Sequence, residues 1–510
     1  MQRHATLTAL LAAGADDATA LHAPGGKPYS YRALRAHVQR TVQALNALGV
    51  GRGDRVAIVL PNGPEMASAF VAVASGCAAC PLNPAYRADE FEFYLSDLNA
   101  RALLVEKGST SPAVAVARKL GVRVLELTPG DEGSGAFTLA PADDAAYTAT
   151  ATANGGSAQA GDVALILHTS GTTSRPKIVP LTQANVCASA GNIAETLALT
   201  PADRELGIMP LFHIHGLIAS VLAPLSAGST IFCSPGFNAL KFFAWMAECK
   251  PTWYTAVPTM HQTILARAAA NQPIIAAHPL RFLRSSSSSI PPQVIAELEA
   301  AFKAPLIESY GMTEASHQMA SNPLPPAVRK PGTVGRAAGP EVAIMDEDGN
   351  LLPAGATGEI VIRGANVTAG YENNPKANAE AFTHGWFRTG DQGCLDADGY
   401  LSITGRLKEI INRGGEKISP REVDEVLMDH PAVAQVVTFA IPHDKLGEDV
   451  GAVVVLREGQ TAGERELRDF VSKRLADYKV PRRIVFTEEI PKGATGKLQR
   501  IGLAAKLGLA

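Results

Sequence analysis

Residues 169–177 read Thr-Ser-Gly-Thr-Thr-Ser-Arg-Pro-Lys, five hydroxyls, a glycine and two cations within nine positions. Amides and hydroxyls donate to phosphate oxygens and cations neutralise them, so this composition suits a loop wrapped around the polyphosphate of a nucleotide. The apolar run Val163–Leu167 precedes it and a helical pattern starts near Thr182, which sets the loop between two regular elements. Lys177 follows Pro176 instead of a glycine and no Gly-Lys-Ser/Thr triplet occurs, so the common P-loop and its kinase or GTPase mechanics are disfavoured. The same composition also makes an ordinary polar surface turn, and the loop alone does not choose.

Other stretches carry chemistry of a matching kind. Tyr310-Gly311-Met312-Thr313-Glu314 follows an apolar turn at Pro305–Ile307 and sets a hydroxyl beside a carboxylate. That pair can hold a phosphate oxygen and help anchor Mg²⁺, which takes one or two carboxylates plus substrate phosphates. Phe387-Arg388-Thr389-Gly390-Asp391 places an acid after a glycine turn, suited to two ribose hydroxyls. Gly405-Arg406-Leu407-Lys408-Glu409 leads into Asn412-Arg413-Gly414-Gly415-Glu416-Lys417-Ile418-Ser419-Pro420, and the tail holds Pro491-Lys492-Gly493-Ala494-Thr495-Gly496-Lys497. A lysine between Gly496 and Leu498 on a loop can swing to an anionic transition state. Each stretch alone is also a turn or a solvated surface lysine.

The elements that must position these groups follow from periodicity. From Tyr31 to about Leu125, helical patterns alternate with apolar runs such as Val56–Leu60 and Ala102–Val105, the rhythm of a layered α/β unit. Thr128–Asp162 is rich in Gly, Ala, Thr, Ser and Asp and reads as a surface excursion or loose linker. Alternation resumes at Val163 and runs to about Phe302 through Leu206–Pro210, Thr230–Cys233 and Trp253–Val257. Beyond Pro331, Glu341–Met345, Glu359–Arg363 and Tyr400–Thr404 are separated by Gly and Asp turns, which predicts a small barrel or curled sheet. After Arg406 the pattern is a compact α+β unit, its first helix announced by a capping box at Ser419, Pro420 and Glu422. Strands are expected near Val433–Pro442 and Val450–Leu456, and a helix near Glu464–Leu475. The fold class is therefore α/β: a large N-terminal domain (1–405) of layered α/β subdomains with a β-barrel-like subdomain, then a small mobile α+β domain (406–510).

Composition bounds the partners. A chain of 510 residues exceeds the roughly 250–300 at which single cores stop growing. Its net charge of −3 is spread without a basic block, so neither nucleic acid nor an anionic membrane is an expected partner. No run reaches the roughly 18 apolar residues of a membrane span. Six cysteines form no disulfide framework at this length and fit a reduced, cytoplasmic setting. Cys77 and Cys80 make a Cys-x-x-Cys with no second pair or histidine nearby, and read as buried thiols. Assembly into a homo-oligomer stays open.

The order and spacing of all five motifs, from Thr169 to Lys497, resemble the adenylate-forming superfamily of acyl-CoA synthetases, adenylation domains and firefly luciferase, over nearly the whole chain. Leu167-His168-Thr169, Pro210-Leu211-Phe212-His213-Ile214-His215-Gly216, Trp253–Thr259 and Ser321-Asn322-Pro323-Leu324-Pro325 look most like the oxalate-CoA ligases. The resemblance implies two half-reactions with ATP, Mg²⁺ and coenzyme A: a carboxylate attacks the α-phosphate to give an acyl-adenylate and pyrophosphate, then the thiol displaces AMP. By motif, Thr169, Ser170, Gly171, Thr172, Thr173 and Lys177 hold the β- and γ-phosphates, Thr313 touches the α-phosphate and Glu314 faces the metal. Asp391 and Arg406 bind the ribose, with Tyr310 in the same nucleotide set. Lys497 bridges carboxylate and α-phosphate, Lys408 is the hinge of the small domain, and Gly414, Gly415 and Glu416 face the pantetheine thiol.

In such enzymes the acyl tunnel is lined where this chain has His213, His215, Ser285–Ser289 and His317, which is polar for a fatty or aryl acid. Burying a second carboxylate unpaired is prohibitive, so histidine and hydroxyl donors suit a small doubly charged acid, oxalate first. His213, His215, Ser287, Ser289 and His317 are the candidate substrate contacts, while His213 is equally a gate or nucleotide contact. Two other readings compete: an adenylation enzyme that loads a separate carrier protein, and a nucleotide-binding protein without catalysis. Lys177, Glu314, Asp391 and Lys497 together argue against the latter.

Overall fold

A computed structural model describes residues 4–142, 151–169, 176–491 and 500–509. The apolar runs that alternate with helical patterns become two large sheets, because strands covered by helices on both faces must be apolar throughout. One is seven-stranded, in the order Phe137–Pro141, Arg123–Pro129, Ala102–Glu106, Arg55–Val59, Ala78–Pro81, Val163–Thr169, Lys177–Thr182. Its four central pairings are parallel and its two outer ones antiparallel. Ala57, Ile58, Leu103, Leu104 and Leu165 are wholly buried within it. The other is nine-stranded and runs Arg336–Ala337, His317–Ser321, Leu306–Met312, Phe282–Ser285, Trp253–Ala256, Arg204–Gly207, Thr230–Cys233, Thr19–His22, Tyr29–Ser30. Helix Pro64–Ala74 is nearly all apolar and starts on a proline, whose missing N–H costs nothing in the first turn. It packs in the core the two sheets share.

The turn-rich segment beyond Pro331 forms a bulged antiparallel sheet, Glu341–Met345, Thr357–Arg363, Trp386–Leu395 and Phe382–Thr383, with Leu401–Arg406 also on the long strand Trp386–Leu395. The small C-terminal domain has a sheet of Glu416–Ile418, Ile411–Arg413, Gly447–Leu456 and Val433–His443, with Arg483–Phe486 beside Gly447–Leu456. Helices Pro420–Met428 and Glu464–Ser472 bury Val423, Leu427, Leu467 and Val471 on one face. Ile490 and Leu503 cover the other.

Three sequence expectations are corrected. Thr128–Asp162 is no loose excursion where it is described: Phe137–Pro141 pairs with Arg123–Pro129, Ala158 donates to the Ser75 carbonyl at 2.8 Å, and Asp162 clamps Arg52 at 2.7 Å. Gly133–Phe137 and Ala158 are buried there, while most of 151–161 stays at the surface. Pro305–Ile307 is no turn but the entry to strand Leu306–Met312. The helix at Pro420 starts where expected without the capping box, since the Ser419 hydroxyl donates to the Thr404 carbonyl and Glu422 takes Lys479 at 2.7 Å. Both side chains serve tertiary contacts. Among the described residues no helix is long and apolar enough to cross a membrane. All six cysteines are free, and burial pushes the Cys77 and Cys80 thiols up to about 12, as inert packing groups require.

Candidate functional site

Ligands of open α/β sheets collect beyond the carboxyl ends of the strands. Four adjacent strands of the nine-stranded sheet deliver chemistry there. Arg204–Gly207 leads to His213 and His215, Trp253–Ala256 carries Thr255, Phe282–Ser285 carries Arg284, and Leu306–Met312 carries Tyr310 before Thr313 and Glu314. The other sheet carries the Thr169–Lys177 stretch. Its mouth is a registered antiparallel pair, Thr169 opposite Lys177, while Ser170, Gly171, Thr172 and Thr173 lie outside the described residues. A hollow of about 360 Å³ bordered by Asp89, Tyr94 and Pro176 adjoins it.

Lys177 and Glu314 meet through Tyr371. The Lys177 ammonium lies 4.3 Å from the centre of the Tyr371 ring, and the Tyr371 hydroxyl donates to Glu314 Oε1 at 2.9 Å. Burial raises the Glu314 carboxyl above its usual range, against the pull of that hydroxyl and of Arg406 and Lys177. Thr313 is half-buried beside it in a short 3₁₀ turn. Nearby, Asp391 takes the Tyr310 hydroxyl on Oδ2 at 2.5 Å and Arg406 Nε on Oδ1 at 2.8 Å. Asp391 does not follow a glycine turn: Gly390, at φ 73°, sits inside strand Trp386–Leu395, where the pairing with Thr357–Arg363 slips by two residues between Glu359 and Val361. The bulge aims Asp391 at Tyr310.

A second polar cluster is built around Arg284, wholly buried within a strand. Parallel register sets Thr255 beside it. Its Nη1 lies 3.3 Å from His215 Nε2 and 3.3 Å from Thr255 Oγ1; its Nη2 lies 3.2 Å from His317 Nε2 and 3.3 Å from Gln318 Oε1. The two imidazoles stack at 4.8 Å between centroids. His215 Nδ1 is 3.1 Å from Ser287 Oγ and its Nε2 is 2.7 Å from Thr255 Oγ1. No acidic side chain among the described residues is ion-paired with Arg284, and burial pushes its guanidinium down to about 9. Backbone strain gathers around it: Ser287, Ser316 and His317 hold φ of 73°, 49° and 98°. A Cβ at Gly311 would stand 1.9 Å from the His317 carbonyl oxygen, so only glycine lets the two chains pass.

The candidate substrate residues therefore separate. His215, His317 and Ser287 come together, Ser289 is exposed, and His213 sits half-buried with its ring 4.6 Å from that of Phe212. Ser286 is tied to the Ser309 carbonyl at 3.1 Å, and the Ser285 hydroxyl is buried without a partner among the described residues. His215 opens a π-helical stretch, His215–Leu222, a form frequent at functional sites.

In the small domain, Gly414 and Gly415 form the turn of a hairpin between Ile411–Arg413 and Glu416–Ile418, at φ 61° and 102°, with Glu416 exposed. Lys408 is exposed in a one-turn 3₁₀ segment, and its neighbour Glu409 pairs with Arg500 at 3.3 Å. Arg500 also grips Asp424 at 2.6 Å and the Thr438 carbonyl at 2.8 Å. Lys497 lies outside the described residues.

Sequence reasoning missed Arg284, Thr255, Gln318 and Tyr371. An arginine inside the run Phe282-Leu283-Arg284-Ser285 was a usable signal, because a charge in a buried strand needs a reason. The other three show only once strands are in register.

Comparison with known proteins agrees in extent with this arrangement. Residues 10–372 match the family model of AMP-binding enzymes and residues 422–497 that of the AMP-binding enzyme C-terminal domain. An oxalate–CoA ligase of Arabidopsis thaliana is 46% identical over 95% of this chain and 94% of its own length. Another, from Saccharomyces cerevisiae, is 43% identical over 88% and 86%. The crystal structure of ATP-bound MatB from Rhodopseudomonas palustris superposes with a TM-score of 0.88 at 30% identity, covering 98% of both chains.

Proposed function

This chain belongs to the AMP-binding enzymes and is an ATP-dependent acid–CoA ligase, and on that premise we propose that the acid it activates is oxalate. The observation that carries the reading is the acyl end: two stacked histidines, a serine and a buried arginine, with no acidic side chain among the described residues paired to that cation. An acid whose second carboxylate lies beside the reacting one supplies the missing negative charge, whereas a fatty or aryl tail there would bury against polar groups. The two relatives named as oxalate–CoA ligases support the same reading.

Thr169, Lys177 and the loop between them hold the β- and γ-phosphates, Thr313 the α-phosphate, and Asp391 with Arg406 and Tyr310 the ribose. An oxalate oxygen attacks the α-phosphorus, the bond to pyrophosphate breaks, and the thiol of coenzyme A then displaces AMP from the acyl carbon. Glu314 fits Mg²⁺, being a buried carboxylate whose ionisation is opposed by burial and favoured by any nearby cation. Bound there, the ion would neutralise phosphate charge. Lys497 bridges the reacting carboxylate and α-phosphate. The large domain ends near residue 405, and the small domain turns at Lys408 to bring the Gly414–Gly415–Glu416 hairpin to the thiol. The six unpaired thiols support a cytoplasmic setting for the enzyme.

The test is CoA-dependent AMP release across oxalate, malonate, acetate, glyoxylate and benzoate, with the thioester identified by mass. Oxalate should give the largest rate, with release requiring ATP, Mg²⁺ and CoA together. A thioester from another small acid and none from oxalate would leave the ligase standing and remove the substrate.

A further inference from the structure

Histidines 215 and 317 are shaped by what stands behind them. A guanidinium has five N–H donors and no acceptor, so an imidazole nitrogen 3.2–3.3 Å from it cannot itself carry a hydrogen. Taking that hydrogen bond makes each Nε2 an acceptor and puts the proton of a neutral ring on Nδ1. For His215 this N–H faces Ser287 Oγ. Thr255 completes the scheme, accepting from Arg284 and donating to His215 Nε2. Arg284 is held in turn from its backbone: buried His261 donates through Nε2 to the Arg284 carbonyl at 3.1 Å and accepts the Tyr254 hydroxyl on Nδ1 at 3.1 Å. One buried cation thus orders two imidazoles while remaining without an anion among the described residues.

We infer that Arg284 is the specificity-determining positioning residue of the acyl site: it fixes His215 and His317 as Nδ1–H tautomers, and its buried positive charge is the counter-charge for the second carboxylate of a dicarboxylate substrate. The inference rests on the oxalate reading and deepens it. Arg284 does not touch the acid. It acts through the imidazoles it orients and through the field of a cation in a low-dielectric site, where removing a partner of a buried charge costs far more than at the surface.

Among the described residues, the groups in contact with the cluster are His215 and Ser287 from the segments after two strands, Thr255 from the neighbouring strand, His317 and Gln318 from the antiparallel strand, and His261 with Tyr254 from behind. None is a carboxylate. With the guanidinium present, protonating either ring would set like charges against each other, so the oxalate KM of the unsubstituted enzyme should be flat between roughly pH 6 and 8. Without it, protonating an imidazole restores a positive charge to the described residues of the cluster. The oxalate KM of R284Q should then fall as pH drops.

The experiment compares the unsubstituted enzyme, R284K and R284Q for kcat and KM toward oxalate, acetate and ATP from pH 5.5 to 8.5. Expected are a rise of about 100-fold in oxalate KM for R284Q at pH 8, an ATP KM within threefold of the original, partial recovery at low pH, and at least tenfold rescue by R284K. An R284Q enzyme that keeps its oxalate KM and its preference over acetate overturns the inference while leaving the oxalate reading intact. If the unsubstituted enzyme itself shows no preference for oxalate, the underlying reading has failed and the inference with it. Nitrogen-15 NMR of the unsubstituted protein, with His215 and His317 assigned by substitution, reads the tautomers even if R284Q does not fold. Nε2–H tautomers there would overturn the inference.

Discussion

Two arginines frame this site and differ in what neutralises them. Arg406 meets Asp391 at 2.8 Å, and Asp391 also holds the Tyr310 hydroxyl, so that corner is complete in charge and offers only polar edges. Arg284 meets two imidazoles, a hydroxyl and an amide oxygen, and no acid among the described residues. A site that neutralises itself suits an uncharged ribose; a site that leaves its cation uncompensated suits an anion. The same residue type sits in opposite surroundings because Arg406 has an acid opposite it on the neighbouring strand, whereas Arg284 has Thr255 on its neighbouring strand and histidines from two further segments.

The comparison can be broken from the ribose side first. D391A should lower kcat/KM for ATP by about 100-fold, since it removes a charged hydrogen-bond partner from Arg406 and Tyr310 and strips the ribose contact. Its ratio of oxalate to acetate turnover should be unchanged; pyrophosphate exchange at varied ATP and acid reads both. At the acyl end, H215Q and H317Q should each raise the oxalate KM by roughly tenfold, the value of one hydrogen bond to a charged group, and leave the ATP KM alone. A smaller effect belongs to Y371F, which removes the donor to Glu314 Oε1: about fivefold in kcat/KM, with the Mg²⁺ optimum displaced and the acid preference kept.

A buried acid gives the mirror case through stability. Glu308, on the strand that carries Tyr310, is pushed by burial up to about 8, and amide donation from Gly332 only partly offsets this. Because the folded state binds its proton more tightly than the unfolded chain, the stability it supplies is full below the unfolded value near 4.5 and is lost as pH rises through about 8. E308Q should therefore melt with the original protein near pH 5 and a few degrees above it at pH 8.5, measured by calorimetry. An advantage that is equal at both pH values would show that this carboxyl does not titrate as its burial requires.

Much of the nucleotide half is legible in the amino-acid sequence. Thr169–Lys177, the end of Tyr310–Glu314 and Arg406 stand at strand ends and Asp391 at a bulge within its strand, and the structure brings the described members of that set together at one place. The histidines and serines downstream are legible as a polar lining but not as an arrangement. Ser287, not Ser289, meets His215, because a left-handed Ser287 turns the run back toward the π-helical entry while Ser289 faces out. Arg284 is hidden for a different reason. Its importance comes from lateral register across three parallel strands and from an antiparallel partner 33 residues on, distances that no local pattern encodes. The capping box at Ser419 fails similarly, its hydroxyl drawn off by Thr404 in a neighbouring strand.

The central claim is that the acyl end is built for a second negative charge. The most direct measurement is the ratio of kcat/KM for oxalate and for acetate in the unsubstituted enzyme at saturating ATP and CoA. A buried site made to satisfy a second carboxylate should favour oxalate by roughly a thousandfold or more. A ratio near or below one would contradict the claim, whatever the nucleotide half of the site is found to do.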